Sequence, residues 1–340
     1  MTQVRLGKTE ILTNKNGFGA LPIQRIPYEE ARALVYEAFD NGVTFYDTAR
    51  FYTDSEEKLG RAFAERGIRD KVYIASKTMC STAEEFWSQL SQSLSALQTD
   101  YLDLYQFHNP SFCPKPGDGT GLYEAMSEAK EQGKVRHIGI SNHRLAVANE
   151  AVDSGLYEAL QFPFCYLASE QDAALVEKCL QADMGFIAMK AMSGGLITRA
   201  DAAYAFCAQY DNVLPIWGVQ RMEELREFIA CEKNPPAMDQ EMQDFIQGER
   251  EQLSGDFCRG CGYCMPCPVG IKINDCARMS LMIRRAPTSV YMDKAHQADM
   301  EQIEECLHCG QCSDKCPYGL DTPALLAKNL ADYREQVKQA

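Results

Sequence analysis

The chain has 340 residues, 46% of them hydrophobic and 10% aromatic, enough for one large core and a smaller one beside it. Its formal net charge of −14 argues against nucleic acid as a partner, because phosphate binding needs a basic face. No apolar run approaches the ~18 residues of a membrane span, and residues 1–10 show neither an apolar signal region nor Arg-rich amphipathic character, so a cytoplasmic protein with no membrane partner is expected.

Residues 4–20 read as short strands around a turn at Gly7-Lys8, with Asn16-Gly17 breaking the chain before a first parallel strand at 17–20. Pro27 then opens a helix with Ala31, Leu34, Val35 and Ala38 on one face, closed by Asn41-Gly42. The next stretch, residues 45–60, carries a unit that the chain repeats as far as residue 230. An apolar strand delivers Asp47 and Tyr52 at its carboxyl end, and helical spacing begins a few residues later with Leu59 and Phe63. Counting that one, short apolar strands are expected at 43–47, 72–76, 102–107, 137–140, 159–164, 185–189 and 213–217.

The helices between them are well marked. Thr82-x-x-Glu85 is a capping-box pattern ahead of Phe86, Leu90, Leu94 and Leu97. Leu122, Met126 and Ala129 form a stripe ended by Gly133; Leu175, Cys179 and Leu180 form another, ended by Gly185; Met222, Leu225 and Ile229 form the last. Strands that all alternate with helices must pair in parallel through right-handed crossovers. The tally of eight predicts a closed (β/α)₈ barrel over residues 1–231 within the ~250 residues typical of that fold. An open doubly wound sheet is the rival, but no Gly-x-Gly-x-x-Gly turn follows the first strand. Residues 232–256, with Asn234-Pro235-Pro236, read as a linker containing a helix, and residues 257–340 as a small helical, cysteine-rich domain ending in an amphipathic helix opened by Thr322-Pro323.

Four polar side chains would share the carboxyl-end mouth of the barrel: Asp47, Tyr52, Lys77 and His108. Each alone is better explained by capping or surface exposure. Together they make a proton donor for carbonyl chemistry. A phenol of pKa ~10 exchanges protons poorly at neutral pH, a neighbouring ammonium lowers that value, and a carboxylate holds the ammonium. A histidine beside the phenol can orient a carbonyl oxygen, with hydride coming from elsewhere.

Asp47-Thr48-Ala49-x-x-Tyr52, Ser55-Glu56-x-x-Leu59-Gly60, Ala75-Ser76-Lys77 and Tyr105-Gln106-x-His108 resemble the aldo-keto reductase family, over residues 4 to about 230. The resemblance implies a (β/α)₈ barrel, an Asp47–Tyr52–Lys77–His108 tetrad with Tyr52 as general acid/base, and NADP or NAD bound without a Rossmann turn. It also implies that Ser141, Asn142 and Gln161 hold the nicotinamide carboxamide. Met189-Lys190 and the loop at Ser193-Gly194-Gly195 would cover the pyrophosphate, where glycines allow close backbone approach. After the eighth strand the chain departs from the family. Arg221 survives as a phosphate partner, whereas Glu224 and Phe228 stand where an arginine and an asparagine are expected, and Trp217 and Gly218 are also atypical. A carboxylate repels a 2′-phosphate, so NADPH and NADH both stay open.

Fifteen cysteines complete the sequence. With no export signal, disulfides are not expected. Cys80, Cys113, Cys165, Cys179, Cys207, Cys231 and Cys276 are scattered singly and read as small apolar filler. The other eight form Cys258-x-x-Cys261-x-x-Cys264-x-x-Cys267-Pro268 and Cys306-x-x-Cys309-x-x-Cys312-x-x-x-Cys316-Pro317. Two [4Fe–4S] clusters are expected, each taking three thiolates from its own loop and a fourth from the Cys-Pro end of the other run. That gives Cys258, Cys261, Cys264 and Cys316 for one cluster, and Cys306, Cys309, Cys312 and Cys267 for the other. The first run is one residue short before Cys267, which leaves Cys276 as the alternative. Zinc knuckles are the competing reading, disfavoured by the two triplets and the two Cys-Pro endings. Residues 257–322 resemble a bacterial two-cluster ferredoxin module, and the fusion resembles a branch of the aldo-keto reductases found largely in anaerobes.

Two functional readings are compatible with these features. In the favoured one the chain is an NAD(P)-dependent oxidoreductase interconverting a small-molecule carbonyl and its alcohol, with clusters of structural or electron-transfer role. In the other, the clusters exchange electrons with a redox partner protein and the barrel is a scaffold. No flavin signature is present to split a hydride into single electrons. Phe51, Phe112 and Trp217 are candidate apolar walls of a pocket formed by loops 110–120 and 192–196.

Overall fold

A computed structural model describes residues 3–253, 257–285 and 291–339. It forms two compact units, one of Met1–Ala191 with Arg199–Gln243 and one of Met192–Thr198 with Asp244–Ala340.

In the first unit, β1 (Gln3–Arg5) and β2 (Leu12–Asn14) pair antiparallel as a hairpin. The next eight strands are β3 (Gly17–Gly19), β4 (Phe45–Asp47), β5 (Tyr73–Thr78), β6 (Leu102–His108), β7 (Val135–Ser141), β8 (Ala159–Pro163), β9 (Gly185–Met189) and β10 (Val213–Gly218). They pair in parallel in chain order, and β10 closes the barrel against β3. Between them run α1 (Tyr28–Asp40), α2 (Ser55–Arg66), α3 (Ala83–Ala96), α4 (Leu122–Glu131), α5 (Leu145–Ser154), α6 (Glu170–Gln181) and α7 (Ala200–Ala208), with α8 (Met222–Lys233) after β10. The eight-strand expectation therefore holds. Every residue of β6 and β8 is buried, as strands covered on both faces require. The hairpin plugs the amino end: Val4, Leu6 and Ile11 join Phe45, Ala75, Leu104, Ala159, Ile187 and Leu214 in one core cluster.

Local signals were realised with small changes. Thr82 caps α3 by accepting from the Glu85 N–H at 3.2 Å, but the Glu85 carboxylate accepts from the N–H of Ser81 rather than closing the box on Thr82. Gly185 does not end α6; it begins β9, and Asp183 takes the left-handed turn at φ 50°. Leu180, expected on the buried stripe, is half exposed. Gly60 is demanded by packing, since a Cβ there would lie 2.3 Å from the Ala96 carbonyl oxygen.

The expected helix of the linker is α9 (Gln240–Gln252), whereas residues 254–256 lie outside the described residues. The second unit contains α10 (Ile273–Cys276), α11 (Met279–Arg285), α12 (Lys294–Glu301), α13 (Gln311–Asp314) and α14 (Thr322–Gln339). Leu326, Leu330 and Tyr333 of α14 pack with Ile271, Ile273, Met279, Ile283, Met300 and Ile303. Asn329 is buried and pins the start of α11, accepting from the Ser280 N–H at 2.9 Å and donating to the Ala277 carbonyl at 3.3 Å. Among the described residues no helix is long and apolar enough to cross a membrane.

Candidate functional site

The expected tetrad gathers at the carboxyl ends of three adjacent strands, with Tyr52 in the turn between β4 and α2. Asp47 is the last residue of β4, Lys77 lies near the end of β5 opposite Gln106, and His108 ends β6 opposite Ser141, which itself pairs with Gln161. Lys77 is fully buried; its Nζ donates to Asp47 Oδ1 and to the Thr48 carbonyl, both at 2.7 Å. The same Nζ lies 5.2 Å from the centre of the Tyr52 ring, and Tyr52 meets the His108 ring edge-on at 5.8 Å. The structure thus places all four side chains together.

The electrostatics follow from burial. Desolvation pulls the Lys77 ammonium below its ordinary pKa, opposed by the Asp47 carboxylate, and lifts Asp47, opposed by Lys77. For His108, burial and then the Lys77 charge act in the same direction and bring the pKa down to about 3. The imidazole is therefore neutral at pH 7.

Of the expected nucleotide residues, Ser141, Asn142 and Gln161 are buried beside this group. Gln161 Nε2 reaches Asp47 Oδ1 at 3.3 Å, while its Oε1 accepts from Gln106 Nε2 at 2.8 Å. The Asn142 amide is already engaged with backbone, donating to the Pro110 carbonyl and accepting from the Arg144 N–H, each at 2.8 Å. Met189 ends β9, and Lys190 follows it in a left-handed conformation. Gly194 belongs to the second unit, in a loop where Ser193, Gly194 and Gly195 all have positive φ.

At the end of β10, Arg221 is largely exposed and paired with Glu224 at 2.7 Å. Glu224 Oε2 also accepts the N–H groups of Gln220 and Arg221, at 2.9 and 3.0 Å. The carboxylate thus occupies the amino end of α8, where helix donors would meet an anion. Phe228 is buried and stacked on Trp217 with ring centres 4.1 Å apart, and Trp217 Nε1 donates to Asn16 Oδ1 at 2.8 Å. Trp217 is consequently a core residue and not a pocket wall. Phe51, by contrast, is 69% exposed and faces the His108 ring at 6.5 Å; Phe112 is also exposed.

In the second unit the cysteines surround two hollows. Cys258, Cys261, Cys264 and Cys316 line one, with Ala277, Tyr318 and Leu325. Cys267, Cys306, Cys309 and Cys312 line the other, with Ile271, Pro323 and Leu326; Cys264 borders both. Cys276 lines neither. It is fully buried, and its Sγ donates to the Asp299 carbonyl at 3.4 Å. Among the described residues no three acidic, cysteine or histidine side chains converge as they would on a single ion.

Two contributors had no role assigned to them from the sequence. Gln106 orients the Gln161 amide; a buried amide in the middle of a strand covered on both faces was the available signal. Arg278 donates to the Gly194 carbonyl from 84 residues away, and nothing in its local sequence marks it.

Residues 15–203 match the family model described as the aldo/keto reductase family, and residues 257–321 match a 4Fe-4S dicluster domain. A methylglyoxal reductase of Salmonella typhi is 38% identical over 126 residues, covering 35% of this chain and 45% of that protein. An aldo-keto reductase of Bacillus subtilis is 30% identical over 173 residues, covering 47% of this chain and 51% of that one. The chain thus spans about half the length of the curated relatives it matches. A Klebsiella pneumoniae aldo/keto reductase in complex with NADP and acetate superposes with a TM-score of 0.62 at 23% identity, covering 73% of this chain and 94% of that one. The holo form of a Bacillus halodurans aldo-keto reductase gives 0.64 at 19% identity, covering 73% and 96%. At those identities the likeness is one of fold.

Proposed function

The chain belongs to the aldo/keto reductase family and carries a C-terminal 4Fe-4S dicluster domain, and on that premise we propose that it interconverts a carbonyl and an alcohol with a nicotinamide dinucleotide. One observation carries the reading: a buried Lys77, held by Asp47, lies beside the Tyr52 ring, with a neutral His108 against that ring's edge.

The residues present fit a nicotinamide nucleoside. Asp47 Oδ2 is a buried acceptor with no hydrogen-bond partner among the described residues. The Gln161 amide lies beside it, 3.3 Å from Oδ1, Ser141 is paired with Gln161 across the β7–β8 register, and Met189, Lys190 and Gly194 follow on the chain after β8. When bound, reduced nicotinamide supplies the two electrons as hydride to the carbonyl carbon. Tyr52 donates its phenolic proton to the carbonyl oxygen, and the Lys77 ammonium stabilises the phenolate left behind. Asp47 keeps the ammonium in place. His108, being neutral, orients the oxygen by hydrogen bonding and does not act as the acid. Alcohol oxidation runs the same proton back to Tyr52. Phe51, exposed beside His108, forms an apolar wall for the substrate.

Because His108 stays neutral from about pH 3 upward, kcat/KM should show no limb between pH 5.5 and 7.5. A limb near pH 6.5 that vanishes in His108→Gln would contradict this assignment.

The seating of Glu224 favours NADH over NADPH. Its carboxylate takes the backbone N–H groups of Gln220 and Arg221, just ahead of α8, and the Arg221 guanidinium that a 2′-phosphate would need. Glu224→Gln should raise NADPH affinity relative to NADH by roughly tenfold, equivalent to about 1.4 kcal/mol. Equal ratios in the variant and the parent would reject that role.

Two [4Fe–4S] clusters are assigned to the two hollows, with Cys267 and not Cys276 as the fourth ligand of the Cys306 set. The support is that one cysteine set of four lines each hollow, with Cys264 bordering both, and that the described side chains do not converge on a point, which suits a cubane better than zinc. The clusters supply one-electron capacity when present. Oxygen-free fluorescence titration of iron-replete protein with NADH and NADPH tests the enzyme reading. Binding of neither, with iron content intact, would shift the assignment to electron exchange with a partner protein.

A further inference from the structure

Within the second unit, one side chain touches both the glycine loop and the cysteine loop. Arg278 is 9% exposed, and its Nη2 donates to the Gly194 carbonyl at 2.7 Å and contacts Met282 Sδ at 3.4 Å. On its other side it lies against the cysteine loop, since a Cβ on Gly260 would sit 2.2 Å from Nη1; a Cβ on Gly194 would sit 3.1 Å from the same atom. Gly260 is two residues beyond Cys258, and its N–H donates to the Cys258 sulfur at 3.3 Å. The adjacent Ala277 lines the hollow bounded by Cys258, Cys261, Cys264 and Cys316.

Arg278 is also incompletely satisfied. Its Nε is buried with no hydrogen-bond partner among the described residues, a costly state for a guanidinium unless another group completes it. A thiolate-ligated cluster in the adjoining hollow carries the negative charge and the sulfur acceptors that this cation lacks.

We propose that Arg278 is a positioning residue linking the oxidation state of the cluster at Cys258, Cys261, Cys264 and Cys316 to the affinity of the Ser193–Gly195 loop for the dinucleotide pyrophosphate. This rests on the cofactor and cluster assignments of the proposed function. Ser193, Gly194 and Gly195 hold φ values of 49°, 63° and 93°, a conformation costly for Ser193 that persists only where neighbours fix it. The bond from Arg278 to Gly194 is one such fixture. An electron added to the cluster draws the guanidinium charge toward sulfur and disfavours an anion at the loop. Reduction therefore weakens nucleotide binding, and by linkage the nucleotide lowers the reduction potential to the same extent.

The test is an EPR-monitored redox titration of the iron-replete, full-length protein, poised at an electrode through viologen mediators, without and with saturating NAD⁺. A tenfold linkage appears as a fall of about 59 mV in the potential of one cluster. Arg278→Gln should abolish the shift with iron content retained. Arg278→Lys, which keeps the charge but loses the planar fork, should retain less than half of it, and it carries the comparison if the Gln variant loses iron. NAD⁺ that binds the parent protein without moving either potential overturns the linkage alone, as does a full shift in the Lys variant. A parent protein that binds neither NAD⁺ nor NADP⁺ overturns the cofactor reading and the linkage with it.

Discussion

Tyr52→Phe should cut turnover by about 10²–10⁴-fold, the usual worth of a positioned proton donor, while leaving nucleotide affinity within a few fold. The ring would survive, so its edge contact with His108 and its place beside Lys77 would remain. Only the exchangeable proton is removed. Loss of turnover with KM unchanged would mark an interaction made in the transition state rather than in binding. Full turnover in the variant would sink the proposed mechanism, and His108 could not rescue it, because a neutral imidazole with a pKa near 3 is the wrong acid.

Lys77→Met should be the most destabilising single change in the site. Lys77 and Asp47 are buried and joined at 2.7 Å. Removing one partner of such a pair typically costs about 3–5 kcal/mol, because the other charge is left in a medium that cannot solvate it. Asp47 Oδ1 would keep only the 3.3 Å bond from Gln161, and Oδ2 has no partner among the described residues. The pH dependence has a definite sign. Burial already raises the Asp47 pKa above 3.8, and loss of Lys77 removes the principal charge opposing that rise. A raised carboxyl binds its proton more tightly folded than unfolded, so the penalty is absent below about pH 4 and grows as pH rises. Denaturation of the iron-replete variant at pH 5 and pH 8, without oxygen, should show the larger loss at pH 8. Asp47→Asn combined with Lys77→Met should recover part of it, since a neutral amide needs no counter-charge. Equal losses at both pH values would mean that Asp47 is not the group left stranded.

Much of this protein was legible in its sequence, for identifiable reasons. Strands buried on both faces must be almost wholly apolar, so Asp47, Lys77 and His108 stand out at the ends of theirs. The two cysteine runs are legible because three ligands of a cubane come from one tight loop, which fixes their spacing. The order and parallel pairing of the barrel strands followed from helices that separate every pair.

What the sequence could not supply was the meeting of distant residues. Glu224 is visible as a carboxylate near a phosphate site, yet only the folded chain shows it holding two backbone N–H groups and Arg221. Trp217 looks like a pocket aromatic until Phe228 stacks on it. Spacing alone leaves Cys267 and Cys276 both open as the fourth ligand, and it is the position of α10 that buries Cys276 and leaves Cys267 at the hollow. The contact of Arg278 with Gly194 spans 84 residues and has no local signature. Residue type and spacing determine which chemistry is available, because each ligand or proton donor must be of a given kind. Which of those groups are satisfied, paired or left open depends on burial and long-range contact, and those are properties of the tertiary structure alone.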